Sequence, residues 1–378
     1  MSKVGLYIHF PFCARKCRYC DFASYDNLQY LMPKYLEALK NEIKRWEDLT
    51  DRVSVQTIFM GGGTPTLYEY RHLIDVLKTC ERYWNVDRDA EISIEANPET
   101  LNLVGLMGIR KAGFNRISIG MQAWQQHHLK YLGRIHSNRD IVQVVEWCRE
   151  AGFDNVNLDI MFGLPNQTIE EWQETLEKVV NLGVDHISAY SLKVEEGTPF
   201  YTMLNRGQLN LPSEDTERQM YHMAIKYLKS QGYIHYELSN FSKAGKQCRH
   251  NLIYWNNNEY IGLGSGAHSY WRGKRFANIA DPRDYIEKIQ KNESPLQFIE
   301  AIDRRDEIFE TIMLGLRLTE GINKDRFFMR FGKKIEDLYE DVIFRLKREG
   351  LLIEDKEAIR LTERGMDLQN VVLLHFME

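Results

Sequence analysis

The chain has 378 residues, of which 43% are apolar and 27% are charged, and its formal net charge is −5. This length and composition predict a globular protein with one large domain and a smaller one. A slightly acidic chain offers no overall electrostatic attraction to nucleic acid or to an anionic membrane, so neither is expected as a partner. No secretory signal pattern and no apolar run of about 18 residues occurs, so we expect a cytoplasmic protein whose membrane contacts are at most peripheral.

Short β-rich segments alternate with amphipathic helical stretches along the first half of the chain. Alternation of this kind predicts a parallel sheet covered by helices, either doubly wound or barrel-like, with ligands at the carboxyl ends of the strands. The six predicted strands are Val4–Phe10, Val55–Met60, Glu91–Ala96, Arg116–Met121, Asn155–Met161 and His186–Leu192.

The alternation stops after about residue 200. A helix is predicted over Ser213–Gln231, followed by an irregular run from Tyr233 to about Tyr285. From about Glu300 the pattern is three helices, two short strands and a last helix, which predicts a winged-helix-like domain. We therefore expect a barrel-like domain at 1–232, a connecting region at 233–299 and a C-terminal domain at 300–378. Residues 301–378 carry 14 Lys and Arg against 17 Asp and Glu, which argues against DNA binding by this domain.

Three of the six cysteines lie within eight residues, in the segment Cys13-Ala-Arg-Lys-Cys17-Arg-Tyr-Cys20 directly after the first predicted strand. Three thiolates on one loop can hold a [4Fe–4S] cluster with one iron left open for a further ligand. The alternative is a zinc loop completed by a fourth ligand, such as His9 or Cys248. The scattered positions of the other cysteines do not fit a secreted disulfide framework.

The C-x3-C-x2-C spacing after the first strand resembles that of the radical S-adenosylmethionine (SAM) superfamily. The resemblance implies a partial (β/α)6 TIM-like barrel and a SAM molecule that chelates the open iron through its amino and carboxylate groups. Gly61-Gly-Gly-Thr-Pro65 follows the second predicted strand and resembles the segment that binds the SAM amino group in that superfamily. The residues assigned to this contact by resemblance are Gly62, Gly63 and Thr64.

Polar residues near the ends of later strands extend the resemblance to the oxygen-independent coproporphyrinogen III oxidase family. Glu95, Gln122, Arg134 and Asp159 match the order and approximate spacing of its SAM contacts, and Tyr7 and Tyr19 match aromatic positions beside the cluster. Two SAM molecules bind in that oxidase, and whether one or two bind here is left open.

Within this family the chain resembles the HemW-type branch of heme chaperones. Phe22 stands where the oxidase has a further cysteine, and only six residues precede Tyr7. The segment His250-Asn-Leu-Ile-Tyr-Trp255 resembles the HNxxYW motif associated with heme binding in that branch. An imidazole can ligate heme iron and aromatic rings can cover a macrocycle, so His250, Asn251, Tyr254 and Trp255 are the predicted heme residues. The alternative for His250 is a hydrogen-bonded structural histidine.

The resemblance implies a heme chaperone that holds a [4Fe–4S] cluster, SAM and heme, and that delivers heme to respiratory membrane enzymes. The alternative function is the oxidase reaction itself, a radical decarboxylation of coproporphyrinogen III to protoporphyrinogen IX. A third is a radical SAM reaction on another small molecule. Whether SAM is cleaved is left open, as is the choice between a monomer and a homodimer.

Overall fold

A computed structural model describes residues 3–50 and 53–377. Six strands run parallel in chain order at the centre of a twelve-stranded sheet, as the sequence predicts. These strands are β1 (Lys3–Phe10), β2 (Ser54–Gly62), β3 (Asn85–Ala96), β4 (Arg116–Gln122), β5 (Val156–Phe162) and β6 (His186–Ser191). The strand β3 begins six residues earlier than predicted.

Helices connect these strands and cover the outer face of the sheet. They are α1 (Met32–Thr50), α2 (Tyr70–Tyr83), α3 (Leu103–Ala112), α4 (Gln126–Leu132), α5 (Asn138–Glu150), α6 (Ile169–Asn181), α7 (Pro199–Asn205) and α8 (Glu214–Ser230). Reciprocal capping boxes start two of them, Ser137 with Asp140 at α5 and Thr168 with Glu171 at α6, and fix where these helices begin.

The segment predicted to be irregular, from Tyr233 to about Tyr285, contains regular structure. It forms β7 (Ile234–Glu237), β8 (Asn240–Ser242), α9 (Arg249–Trp255), β9 (Tyr260–Leu263), β10 (His268–Trp271) and β11 (Lys274–Asn278), followed by α10 (Pro282–Gln290) and β12 (Leu296–Ala301). Strands β8 and β7 extend the sheet beyond β6, and β9 to β12 extend it beyond β1. The expectation of an irregular run was wrong because these strands are short and pair with partners that are distant in sequence. The domain bounds stay a prediction.

The sheet curls around α9. Cys248, just before this helix, donates from its backbone N–H to the Tyr236 hydroxyl on β7 and from Sγ to Glu91 on β3. Strands β3 and β7 are five positions apart in the sheet order, so one residue can reach both only if the sheet is strongly curved. This curvature is that of the predicted partial barrel.

Side chains alternate between the two faces of the central strands, as expected for a β-strand. Isoleucines such as Ile94, Ile117 and Ile119 point outward into the main apolar core beneath the helices. On β4, β5 and β6 several inward side chains are polar and bond to one another: Ser118 with Asp159, Asn157 with Ser118, and His186 with Asn157. This part of the barrel interior is therefore polar and suits a polar ligand.

The C-terminal segment has its own core and a small antiparallel sheet in the order β13-β15-β14. Its elements are α11 (Arg304–Gly315), β13 (Ile322–Asn323), α12 (Lys324–Phe331), α13 (Ile335–Arg348), β14 (Leu352–Glu354), β15 (Ala358–Leu361), α14 (Glu363–Asp367) and α15 (Gln369–Met377). This arrangement is the predicted winged-helix-like one, with the two-residue strand β13 and a second helix after β15 in addition. Across residues 3–50 and 53–377, no helix has the length and apolar character needed to cross a membrane.

Candidate cofactor site

The three cysteines lie on the loop that follows β1, and neighbouring elements hold this loop in place. Backbone hydrogen bonds join Cys13 to Tyr25 and Arg18 to Leu132 at the end of α4. The Lys16 ammonium lies 3.0 Å from the carbonyl oxygens of both Phe22 and Ser24 and closes the loop on itself. The loop is thus fixed on the carboxyl side of the sheet, where the sequence placed it.

Cys13, Cys17 and Cys20 line a single cavity at the carboxyl ends of the strands. Thr64 Oγ1 donates to Cys13 Sγ at 3.7 Å, and the Arg134 guanidinium donates to Cys17 Sγ at 3.5 Å. Burial raises the pKa of the Cys13 and Cys20 thiols, which keeps them protonated in the absence of a metal. Iron would deprotonate them on binding, and Arg134 would offset part of the thiolate charge.

The Gly61–Gly63 segment brings the end of β2 against the cysteine loop. A Cβ on Gly63 would lie 2.7 Å from the carbonyl oxygen of Phe12 and 2.9 Å from that of Phe10. Gly62 has φ +109°, and a Cβ there would meet the His9 ring at 2.4 Å. Only glycine permits this close approach, so Gly62 and Gly63 are required for β2 to pack against β1 and the cysteine loop.

Glu95 accepts a hydrogen bond of 3.0 Å from the Gly62 amide within the same cavity. Burial, together with the nearby Asp159 carboxylate, raises the pKa of Glu95 to about 7. Tyr7 is not among the lining residues of this cavity, and its hydroxyl lies 3.0 Å from His9 Nδ1. Tyr19, in contrast, lines the cavity together with the cysteines.

Asn97 is a residue of this site that the sequence analysis missed. Its amide donates to Thr64 Oγ1 at 3.1 Å, and its Oδ1 accepts from Arg134 at 2.6 Å. Asn97 therefore joins the Gly-rich segment to the arginine. Its place directly after β3, two residues beyond Glu95, is the signal that could have identified it.

Gln122 and Asp159 complete the cavity wall. Gln122 is buried at the end of β4 with φ +68°, a backbone conformation that is rare for a residue other than glycine and that is often found at functional sites. Asp159 accepts from Ser118 at 3.0 Å and from Asn157 at 2.7 Å, two further residues that the sequence analysis missed. Their sequence signals are the alternations Ile117-Ser118-Ile119 and Asn157-Leu158-Asp159 on buried strands.

The residues of this cavity fit an iron–sulfur cluster and SAM. Three thiols without a fourth cysteine leave an open coordination position, since Cys248 lies apart, bonded to Glu91. Carboxylate, amide and guanidinium groups beside this position suit the polar groups of a nucleoside and an amino acid. The assignment of each residue to an atom of SAM stays a prediction.

The predicted heme residues do not join this cavity. His250 is buried, with its Nδ1 2.7 Å from Thr57 Oγ1 and its Nε2 2.8 Å from the Tyr254 hydroxyl. Burial, with a smaller contribution from the positive charge of Arg116, lowers the pKa of His250 to about 3. Both ring nitrogens are engaged within the protein, so iron ligation by His250 would require one of these bonds to break.

Tyr254 thus shares the side of His250, whereas Asn251 and Trp255 lie on other faces of α9. Asn251 is partly exposed, and Trp255 lines a second cavity, next to the C-terminal domain. The Arg317 guanidinium lies over the Trp255 ring, 4.4 Å from its centroid. The motif is therefore divided between the barrel interior and a surface cavity.

Comparison with known proteins shows the family to which the chain belongs. Residues 7–179 match the radical SAM superfamily, and residues 302–368 match the HemN C-terminal domain. The heme chaperone HemW of Bacillus subtilis is 37% identical over 372 residues, which cover 98% of both chains. The chain belongs to the HemW family of radical SAM proteins.

A HemW relative from Synechocystis is 38% identical over 85% of this chain and 80% of its own. Membership of the superfamily implies a [4Fe–4S] cluster and SAM. The structure of the Escherichia coli coproporphyrinogen III oxidase HemN shares the fold, with a TM-score of 0.86, 24% identity and coverage of 99% of this chain and 90% of that one. The HemW family and the oxidase therefore share one architecture, and function must be argued from the residues.

Proposed function

We propose that the protein is a heme chaperone that holds a [4Fe–4S] cluster and SAM, binds heme and delivers it to respiratory membrane enzymes. The observation that carries this proposal is the similarity to proteins named as heme chaperones over almost the whole length of both chains. In this proposal the protein acts in the cytoplasm and meets the membrane only peripherally.

Cys13, Cys17 and Cys20 would hold the cluster, and the cavity beside them would hold SAM. When bound, the cluster and SAM together supply one-electron chemistry at the sulfonium. The protein's own residues bind and orient: Gly62 and Gly63 give close backbone approach, and Thr64 and Arg134 orient polar groups. Glu95, Gln122 and Asp159 complete the polar wall, with Tyr7 behind it and Tyr19 beside the cysteines.

Phe22 supports a chaperone over an oxidase. It lines the rim of the cluster cavity with 59% of its surface exposed, at the position where the oxidase family has a further cysteine. An exposed phenyl ring can neither ligate iron nor exchange a proton or an electron at this place. The rim of the cavity therefore lacks the thiol that the oxidase family carries at this position.

The proposal predicts two results with anaerobically prepared, cluster-loaded protein. With SAM, a reductant and coproporphyrinogen III, chromatography should show no protoporphyrinogen IX, while an oxidase of the same fold converts the substrate. Heme-loaded protein incubated with heme-depleted respiratory membranes should restore their oxidase activity. Formation of protoporphyrinogen IX would show that the protein is an oxidase, and membranes that stay inactive would remove the delivery function.

A further inference from the structure

The second cavity lies between α9 and the C-terminal domain. It has a volume of about 620 Å³ and is lined by side chains of α9, α11 and α12 and by the segment around β13. Cavities that hold cofactors or other small ligands are roughly 300–1,000 Å³. It is therefore large enough for a flat, multi-ring ligand.

This cavity and the cluster cavity lie at opposite ends of the barrel. The amides of Arg249 and His250 at the start of α9 donate to Glu91, early in the paired part of β3, and Gln56 near the start of β2 lines the second cavity. The cysteines and Glu95 lie instead where the strands end. A ligand in the second cavity would leave the SAM site free.

The helix α9 presents different residues to its two sides. Arg249, Leu252 and Asn256 recur at helical spacing and line the cavity, whereas His250 and Tyr254 are hydrogen-bonded to each other away from it. Trp255 also lines the cavity, so it and His250 lie on different sides of the helix.

The polar lining of the cavity is basic. Arg249, Arg326 and Arg330 contribute guanidinium groups, against one carboxylate, that of Glu320. Arg330 is neutralised by Glu307 at 2.8 Å. Arg326 donates to the uncharged Asn256 Oδ1 at 3.1 Å and forms no ion pair within the part of the chain that the structure describes. This side chain is therefore available to pair with a carboxylate.

Apolar surface completes the lining. Leu252 and Trp255 are partly exposed in the lining, Ile253 and Phe327 are buried behind it, and Met329 is 76% exposed at the edge. The combination of an accessible apolar surface at Trp255 and Leu252 with guanidinium groups matches a planar macrocycle that bears two carboxylates. Met329 also supplies a thioether, a side chain that ligates heme iron in other proteins.

We propose that heme binds in this cavity, with its ring against Trp255 and Leu252 and its propionate carboxylates at Arg326 and Arg249. The inference rests on the proposed function and assigns the place of binding. It also separates recognition from His250, which then serves to hold α9 against β2.

Titration of the full-length protein with heme and with metal-free protoporphyrin IX tests the location. Arg326→Glu replaces the positive charge of the Arg326 guanidinium with a negative one, and Met329→Trp fills the edge of the cavity. Both residues are exposed, so folding should persist, which circular dichroism checks. Matched controls are Arg218→Glu on α8 and Met107→Trp on α3, two exposed positions outside the lining.

Wild type and controls should bind both compounds, and the two cavity variants should bind both at least about tenfold more weakly. Unchanged affinity in both cavity variants would overturn the location but leave heme binding itself in place. The location would also be wrong if the wild-type protein bound heme but not protoporphyrin IX and His250→Gln abolished that heme binding. A wild-type protein that binds neither compound would remove the proposed function as well.

Discussion

His250 Nδ1 lies 2.7 Å from Thr57 Oγ1 inside the barrel, so the imidazole joins α9 to β2. The pKa of His250 is about 3 in the folded protein and is expected to be about 6.5 in the unfolded chain. Between pH 3 and pH 6.5 the unfolded chain therefore binds a proton at His250 more tightly than the folded protein does. The stability that neutral His250 contributes is full above pH 6.5 and is lost as the pH falls towards 3.

His250→Gln removes this titration. Urea unfolding followed by circular dichroism at several pH values between 4 and 7 should show a smaller loss of stability on acidification for the variant than for wild type. The variant should also be less stable at neutral pH, by about 1–3 kcal/mol, because it leaves buried hydroxyl groups with poorer partners. Parallel pH dependences would show that His250 does not stay neutral in the folded state.

Replacing any one of the three loop cysteines should prevent cluster assembly. Cys17→Ser leaves two thiolates, so iron and sulfide content and the cluster's visible absorption should fall to background after anaerobic reconstitution. Cys80→Ala is the matched control, because Cys80 is buried in α2 away from the cavity. Retention of a full cluster in Cys17→Ser would show that another residue is a ligand.

Gly63→Ala should weaken SAM binding. The added Cβ would lie under 3.0 Å from the carbonyl oxygens of Phe10 at the end of β1 and of Phe12 in the cysteine loop, so the loop or the end of β2 must move. Equilibrium dialysis with cluster-loaded protein should show at least about tenfold lower affinity, the equivalent of about 1.4 kcal/mol. Gly105→Ala in α3 is the control, since its Cβ has room and alanine favours the helix. Equal SAM affinity in Gly63→Ala and wild type would contradict the close approach.

Asn97→Ala should also reduce SAM affinity. The substitution disconnects Thr64 from Arg134 and leaves the guanidinium without one of its acceptors, at a cost of about 1–3 kcal/mol. The same dialysis measurement checks it. Asn102→Ala is the control. It removes another asparagine of the segment after β3, the N-cap of α3, and should lower stability without changing SAM binding. An Asn97→Ala protein with unchanged affinity would place Asn97 outside the site.

The central strands could be predicted from the sequence because their signals are local. Each is a short β-rich run between helical stretches, and the order of parallel strands follows from right-handed connections. The strands after Tyr233 could not be predicted in this way. Tyr260–Leu263 pairs with β1, near the start of the chain, and a four-residue segment carries little pattern of its own.

The cluster site could also be predicted in large part, because motif residues of the loop and of the strand ends meet wherever parallel strands end together. Asn97 was missed because one asparagine after a strand is equally typical of a turn. The position of His250 could not be predicted, since burial between Thr57 and Tyr254 depends on how α9 enters the barrel. A motif identifies residue types but not the side of the helix that each residue occupies.

Heme titration of the cluster-loaded wild-type protein, followed by Soret absorption, is the decisive measurement of heme handling. We expect a saturable spectral change with one heme per chain, retained in the presence of SAM because the two cavities lie at opposite ends of the barrel. A spectrum equal to the sum of free heme and protein at every ratio would contradict the proposal that this protein handles heme.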